Sequence, residues 1–360
     1  MNDIGKKQVI IFFVSALAAI VFYFISLIFC IHFTNLAVFQ NVELWLKDTY
    51  HVKDMINNQP THKQRLIVIG GSSTLYGFNG AMVEANTNFR FINYGTHAIL
   101  PLNYHIDKII SQAKDNDTII LPLEFSYYTL DAPTDNYAYI QNMIVWGGDY
   151  RKYIDQSHII LAFIKNDPTQ LLLGNGKYII RTLSQQQHIS IEAILHKKQN
   201  LTPTHFVENI AFVPCQSFDW YAVSYQSLSP SGDFCSAEGK RYFNEMNDFL
   251  APNLKLSNFF ISEYKRLESF AKAHNIKLFL IYPPTMENPL FSLDDKETFT
   301  KIENLKQELA KHDIKIYGDF RDFHFDRKYF FDTAYHLNAE GANLRTYYFL
   351  KQLPKMLEQQ

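Results

Sequence analysis

Arg65-Leu66-Ile67-Val68-Ile69-Gly70-Gly71-Ser72-Ser73-Thr74-Leu75-Tyr76-Gly77 is an apolar run that breaks into two glycines and two serines. The run is short and rich in β-branched residues and does not alternate with polar ones. It therefore predicts a parallel strand buried on both faces. The glycines permit a tight turn at its end. A serine at a strand-to-helix turn projects its hydroxyl from the C-terminal edge of the sheet, where α/β active sites gather. The free amides at the start of the next helix can bind a developing oxyanion. A plain turn with serine as helix cap has the same appearance, so this stretch alone does not define an active site. It is not a phosphate loop, because the Gly-Lys-Ser/Thr ending is missing.

Downstream, Phe89 to Tyr94 reads as a second strand ending at Gly95, residues 102–114 have helical spacing, and Thr118 to Phe125 reads as a third strand. This β–α–β–α–β rhythm predicts an α/β fold with a parallel sheet. The rhythm lapses between about 131 and 257, where Tyr- and Asn-rich pieces, a Gly147-Gly148 turn and a helical segment near 153–165 read as an insertion or cap. It resumes with a helix near 258–274, a strand from Lys277 to Tyr282, a helix near 297–311, a strand from Asp313 to Tyr317 and a last helix after Asn338.

Upstream, Val9 to Ile31 is apolar apart from Ser15, Tyr23 and Ser26. A run of this length can cross the ~30 Å hydrocarbon layer. Lys6 and Lys7 precede it and no basic cluster follows, which predicts a cytoplasmic N-terminus and an extracytoplasmic remainder. A cleaved signal peptide would have a shorter apolar region and a small-x-small site. The expected organisation is an anchor over residues 1–35, a membrane-proximal linker over 36–64 with an amphipathic helix from Val42 to Met55, and one α/β domain over 65–360. The 360 residues are 47% hydrophobic and 19% charged, a globular balance, and the net charge of -2 argues against a nucleic-acid partner. Aromatics at 15% predict a large aromatic core or a stacking platform for sugar rings. Cys215 and Cys235 flank a loop rich in Ser, Gly and Tyr. An oxidising compartment would permit a disulfide between them, with two free thiols as the alternative. Their spacing does not suggest zinc, and no cofactor is expected.

The second chemical signal is Phe330-Phe331-Asp332-Thr333-Ala334-Tyr335-His336-Leu337-Asn338-Ala339-Glu340-Gly341. A serine hydroxyl needs a base within hydrogen-bond reach, and the base needs an acceptor to fix its tautomer. Asp332 and His336 on one loop supply both.

The two blocks together resemble those of the SGNH/GDSL hydrolase superfamily. In that family a Gly-x-Ser block after the first strand carries the nucleophile, and an Asp-x-x-His block before the last helix carries the base and its partner. Gly71-Ser72-Ser73 with Gly77 matches the first block when Ser73 is the nucleophile. Asp332…His336-Leu337-Asn338…Gly341 resembles the variant in membrane-anchored, envelope-modifying members, similar to the teichoic acid D-alanylation protein and to alginate acetylation proteins. The resemblance covers roughly residues 65–125 and 258–355. It implies a three-layer fold, a triad of Ser73, His336 and Asp332, and an oxyanion hole built from the amides of Ser73 and Gly95.

Two departures stand out. Asp332 precedes His336 by four residues rather than three, and the third block's asparagine is absent: the third strand ends Leu121-Pro122-Leu123-Glu124-Phe125. Glu124 reads as a structural strand-end carboxylate, since an ionised carboxylate would repel an oxyanion. The function implied is an esterase or O-acyltransferase of the cell membrane acting on an envelope polysaccharide, with a multi-pass membrane-bound O-acyltransferase as partner. The alternative is an inactive glycan-binding or scaffold subunit.

Overall fold

The structure is a computed structural model. It describes residues 3–29, 44–98, 100–131, 137–164, 201–213, 224–235, 237 and 245–359. In chain order the named elements are α1 (Asp3–Phe29), α2 (Leu44–Asn57), β1 (Gln64–Val68), α3 (Ser72–Leu75), α4 (Gly80–Asn86), β2 (Phe89–Asn93), α5 (Leu102–Gln112), β3 (Thr118–Leu121), α6 (Tyr137–Trp146) and α7 (Gln156–Ile164). They continue with α8 (Pro203–Asn209), α9 (Asn258–Ala273), β4 (Lys277–Ile281), β5 (Thr285–Met286), α10 (Lys296–Ala310), β6 (Ile316–Tyr317), β7 (His324–Phe325) and α11 (Ala339–Leu357).

The chain forms two compact units. One comprises Met1–Leu44 with Asp135–His196, the other Trp45–Thr134 with Lys197–Gln360. The stretch expected to be a single insertion is thus divided: its first half groups with the N-terminal segment and its second half with the sheet. In the first unit, the Gly5–Ser26 part of α1 is long and apolar enough to span a membrane, and none of it is buried. Its Ser26 hydroxyl donates to Phe22 O at 2.8 Å, so this polar group is satisfied within the helix, as a spanning segment requires. In the same unit α6 packs against α7.

The second unit is built on a five-stranded parallel sheet in the order β2-β1-β3-β4-β6. Leu66, Ile67 and Val68 of β1, and Ile119, Ile120 and Leu121 of β3, are buried whichever face they point to. That explains why these strands read as continuous apolar runs. Sheet pairing in β3 ends at Leu121 rather than Phe125, because Pro122 has no N–H for the ladder. The chain then enters a short 3₁₀ turn, Phe125–Tyr128, behind Glu124. β6 starts only at Ile316. The preceding Asp313, in the left-handed region at φ 55°, and Ile314, whose N–H bonds Leu309 O at 3.1 Å, close the end of α10. Near the start of β1, Arg65 forms a two-pronged ion pair with Asp117 and donates to Asn57 Oδ1 at 2.7 Å, fastening β1 to the loop before β3 and to α2.

The strand order reverses direction between β1 and β3. A crevice opens at the carboxyl ends of the strands at such a point, and ligands of open α/β sheets bind there. β1 delivers the Gly70–Ser73 turn to it and β3 delivers Glu124.

One histidine of this unit makes the fold acid-sensitive. His105 on α5 is buried, and its Nε2 lies 3.0 Å from the Tyr127 hydroxyl, which donates its own proton to Leu100 O. Nε2 therefore carries the imidazole hydrogen, and Nδ1 has no hydrogen-bond partner among the described residues. Burial, reinforced by His97, pushes the His105 pKa down to about 3 from its ordinary value near 6.5. Between those values the unfolded chain binds the extra proton and the folded one does not. Stability is therefore full above pH 6.5 and falls as pH drops towards 3, by a few kcal/mol on the order of magnitude. Urea unfolding followed across that window should show this slope, and His105→Gln should flatten it.

Candidate active site

β1 ends at Val68, and Gly70 and Gly71 turn the chain into the single turn of α3, with Gly71 as a cap that offers no side chain. The first amides of a helix lack partners within it. Here a carboxylate from the neighbouring strand satisfies two donors of the turn. The Ser73 amide donates to Glu124 Oε1 at 2.8 Å and the Gly71 amide to Glu124 Oε2 at 3.3 Å. Glu124 is 2% exposed.

Ser73 itself is 0% exposed, and its Oγ has no hydrogen-bond partner among the described residues. Its carbonyl accepts from Arg345 Nη1 at 3.0 Å. Arg345, on α11, is fully buried and stacks its guanidinium over the Phe78 ring at 4.3 Å, while Nε and Nη2 have no hydrogen-bond partner among the described residues. Burial lowers its pKa to about 9, and the charge of Glu124 opposes that shift. A Cβ at position 77 would collide with this guanidinium and with Ser73 O, which accounts for Gly77.

The second block folds as a closed loop. Phe330 and Leu337 form an antiparallel bridge, and the Phe331 amide donates to His336 O at 2.8 Å. The Thr333 hydroxyl accepts from the His336 amide at 3.1 Å, and Glu245 accepts from the Ala334 amide at 2.8 Å. This closure bends Asp332 back onto the histidine: His336 Nδ1 and Asp332 Oδ1 are 2.8 Å apart. The four-residue spacing is thereby accommodated. Asn338 caps α11 by accepting from the Gly341 amide at 2.9 Å, and a Cβ at Gly341 would collide with Tyr329 O. Leu337 is buried in the cluster with Met286, Phe325 and Phe330.

Tyr76 brings the two blocks together. Its ring stacks on the His336 imidazole with centroids 4.3 Å apart and planes within 3° of parallel. Tyr76 lies one turn beyond Ser72 and Ser73, so the imidazole is held beside the serine turn. Tyr76 also packs against Phe234 at 4.6 Å. Phe234 belongs to a strap that joins both blocks: its amide donates to Leu75 O at 3.1 Å, and Ala237 O accepts from the Ala339 amide at 2.9 Å. Cys235 in this strap is disulfide-bonded, whereas Cys215 lies outside the described residues. The strap is anchored by Asp233, which accepts from the Gly80 amide at 2.8 Å and from Asn93 Nδ2 at 2.9 Å. Lys53 donates to Asn93 O and Gly232 O, each at 2.6 Å. Burial pushes the Lys53 ammonium down to about 7 and the Asp233 carboxyl up, and the charge of each group opposes the other's shift.

The structure thus brings Asp332 and His336 into hydrogen-bond contact and sets the imidazole on Tyr76. Among the described residues no hydrogen bond links His336 to Ser72 or Ser73. The two amides expected to form the oxyanion hole are both engaged internally: that of Ser73 by Glu124, and that of Gly95 by Asn93 Oδ1 at 2.7 Å. Gly95 is needed for close packing, since a Cβ there would strike the backbone of Thr74 and Leu75. Sequence reasoning missed the roles of Tyr76, Arg345 and Asn93. Gly77 marks a close approach one turn after Ser73 but does not say that Arg345 makes it. No protein-family model matches the chain, and no curated protein matches its sequence.

Proposed function

We propose that the chain is a membrane-anchored serine esterase or O-acyltransferase of the SGNH type, with a three-layer α/β domain outside the membrane, that acts on a cell-envelope glycan. The observation that carries this reading is the Asp332–His336 pair at 2.8 Å, seated through Tyr76 against the serine turn at the carboxyl edge of a parallel sheet. Asp332 holds the proton on Nδ1 and leaves Nε2 as base. Ser73 Oγ attacks an ester carbonyl and its proton passes to Nε2. The acyl-enzyme then gives its acyl group to water or to a sugar hydroxyl. Serine–histidine contacts are often long without substrate and tighten in the complex. The outward orientation follows from Lys6 and Lys7, and the acetyl group and the membrane-bound O-acyltransferase partner follow from the family resemblance alone.

A serine-reactive fluorophosphonate applied to the full-length protein tests the reading. The wild type and Ser72→Ala are expected to be labelled, and Ser73→Ala to be unlabelled. Labelling lost only in Ser72→Ala would transfer the nucleophile to Ser72. An inactive scaffold subunit is the second reading. The occupied Ser73 and Gly95 amides favour it, and an unlabelled wild type would establish it over the first.

A further inference from the structure

We propose that Glu124 is a displaceable internal occupant of the oxyanion site: the turn carrying Ser73 is closed at rest and opens when an oxyanion takes the place of the carboxylate. This rests on the serine acyl-transfer reading above. The carboxylate takes the Ser73 amide with Oε1 and the Gly71 amide with Oε2, so the Ser73 donor that an oxyanion would use is already held by a negative group. The turn is shaped to admit it, because a Cβ at Gly71 would lie 2.5 Å from Glu124 Oε1 and 2.9 Å from Ala98 Cα.

Two further groups point to an exchange. Ser73 Oγ is buried with no hydrogen-bond partner among the described residues, an unfavourable state until it finds one. Arg345 is buried on the other side of the same turn with two unpartnered nitrogens, and its charge is balanced in part by Glu124. The turn therefore sits between an anion on its N–H groups and a cation on its C=O. An oxyanion in the carboxylate's place would again put a negative group on those N–H donors, opposite the Arg345 cation on the carbonyl side. A neutral ester carbonyl gains little by displacing the carboxylate, whereas the charged intermediate gains much. The device thus favours the transition state over the bound ester.

The test uses the full-length protein in detergent and a fluorophosphonate. The Ser73 Oγ–P bond forms, the P–F bond breaks, fluoride leaves, and the serine proton goes to His336 Nε2. In Glu124→Gln the side chain accepts at one oxygen only, and its –NH₂ repels the second amide, so one donor is freed. Its labelling rate is expected to rise about 10-fold or more over wild type. Glu124→Asp keeps the charge beside Arg345 but falls one methylene short of the amides. It is expected to be faster as well, which guards against a misfolded glutamine variant. Adding Ser73→Ala should abolish labelling in both. If neither variant exceeds the wild-type rate while wild-type Ser73 is labelled, Glu124 is a fixed strut and the proposal falls, with the serine-enzyme reading intact. If no version is labelled, both fall.

Discussion

Replacing His336 by alanine is expected to reduce acyl-enzyme formation to the uncatalysed background. Where a serine triad operates fully, removing the histidine costs on the order of 10⁶ in rate. Asp332→Asn is a milder, diagnostic change. It keeps the shape of the loop but no longer enforces the tautomer with the hydrogen on Nδ1, and an equivalent change costs on the order of 10⁴. Both side chains lie in a loop whose closure depends on Phe331, His336 O and Thr333 Oγ1 rather than on the imidazole ring. The fold should therefore survive. The measurement is the rate of ester-probe turnover beside the melting temperature, and wild-type rates in His336→Ala would reject the mechanism.

The second large effect concerns stability. Asp233→Ala leaves three donors, Gly80 N, Asn93 Nδ2 and Ser229 Oγ, without their shared acceptor, and leaves Lys53 buried without its counter-charge. Each buried donor left without its acceptor costs about 1–3 kcal/mol, so the loss should reach several kcal/mol. Lys53→Met should be of similar size, and the double variant should fall well short of the sum. Denaturant unfolding of the four proteins measures this cycle. Additive losses would mean that the two side chains do not act as a pair. Partial loosening should also reduce labelling of Ser73, since the same strap carries Phe234 against Tyr76.

The sheet was legible in the sequence because its strands are buried on both faces: Leu66–Val68, Ile119–Leu121 and Leu278–Ile281 show as unbroken apolar runs. The ends of α11 and β1 were legible too, through Asn338 as cap and the Gly70-Gly71 turn. α3, with four residues, and β5 and β7, with two each, are too short for any periodicity to register. The Asp332–His336 pair could be read because both residues lie on one loop. Glu124 could be placed at a strand end but not on the Ser73 amide, since that contact joins residues 51 apart and its donor is backbone. Arg345 had the weakest signal of all. An arginine in a helix reads as solvent-facing, and only the packing of α11 over Gly77 and Phe78 buries it.

Arg345 grips the carbonyl of a residue 272 positions earlier, and Thr346 accepts from the Asn79 amide across 267 positions. A protein is made from its N-terminus, so the serine turn leaves the ribosome long before the helix that closes it. A growing chain lacks both the histidine and the clamp on Ser73 until residues 336 and 345 have been added. Contacts this distant in sequence also form late in folding, because a long loop must close first. In the proposed mechanism, Ser73 therefore gains its base only after residue 336 has been added and the long loop has closed, and a chain stopped before that residue would lack the base altogether.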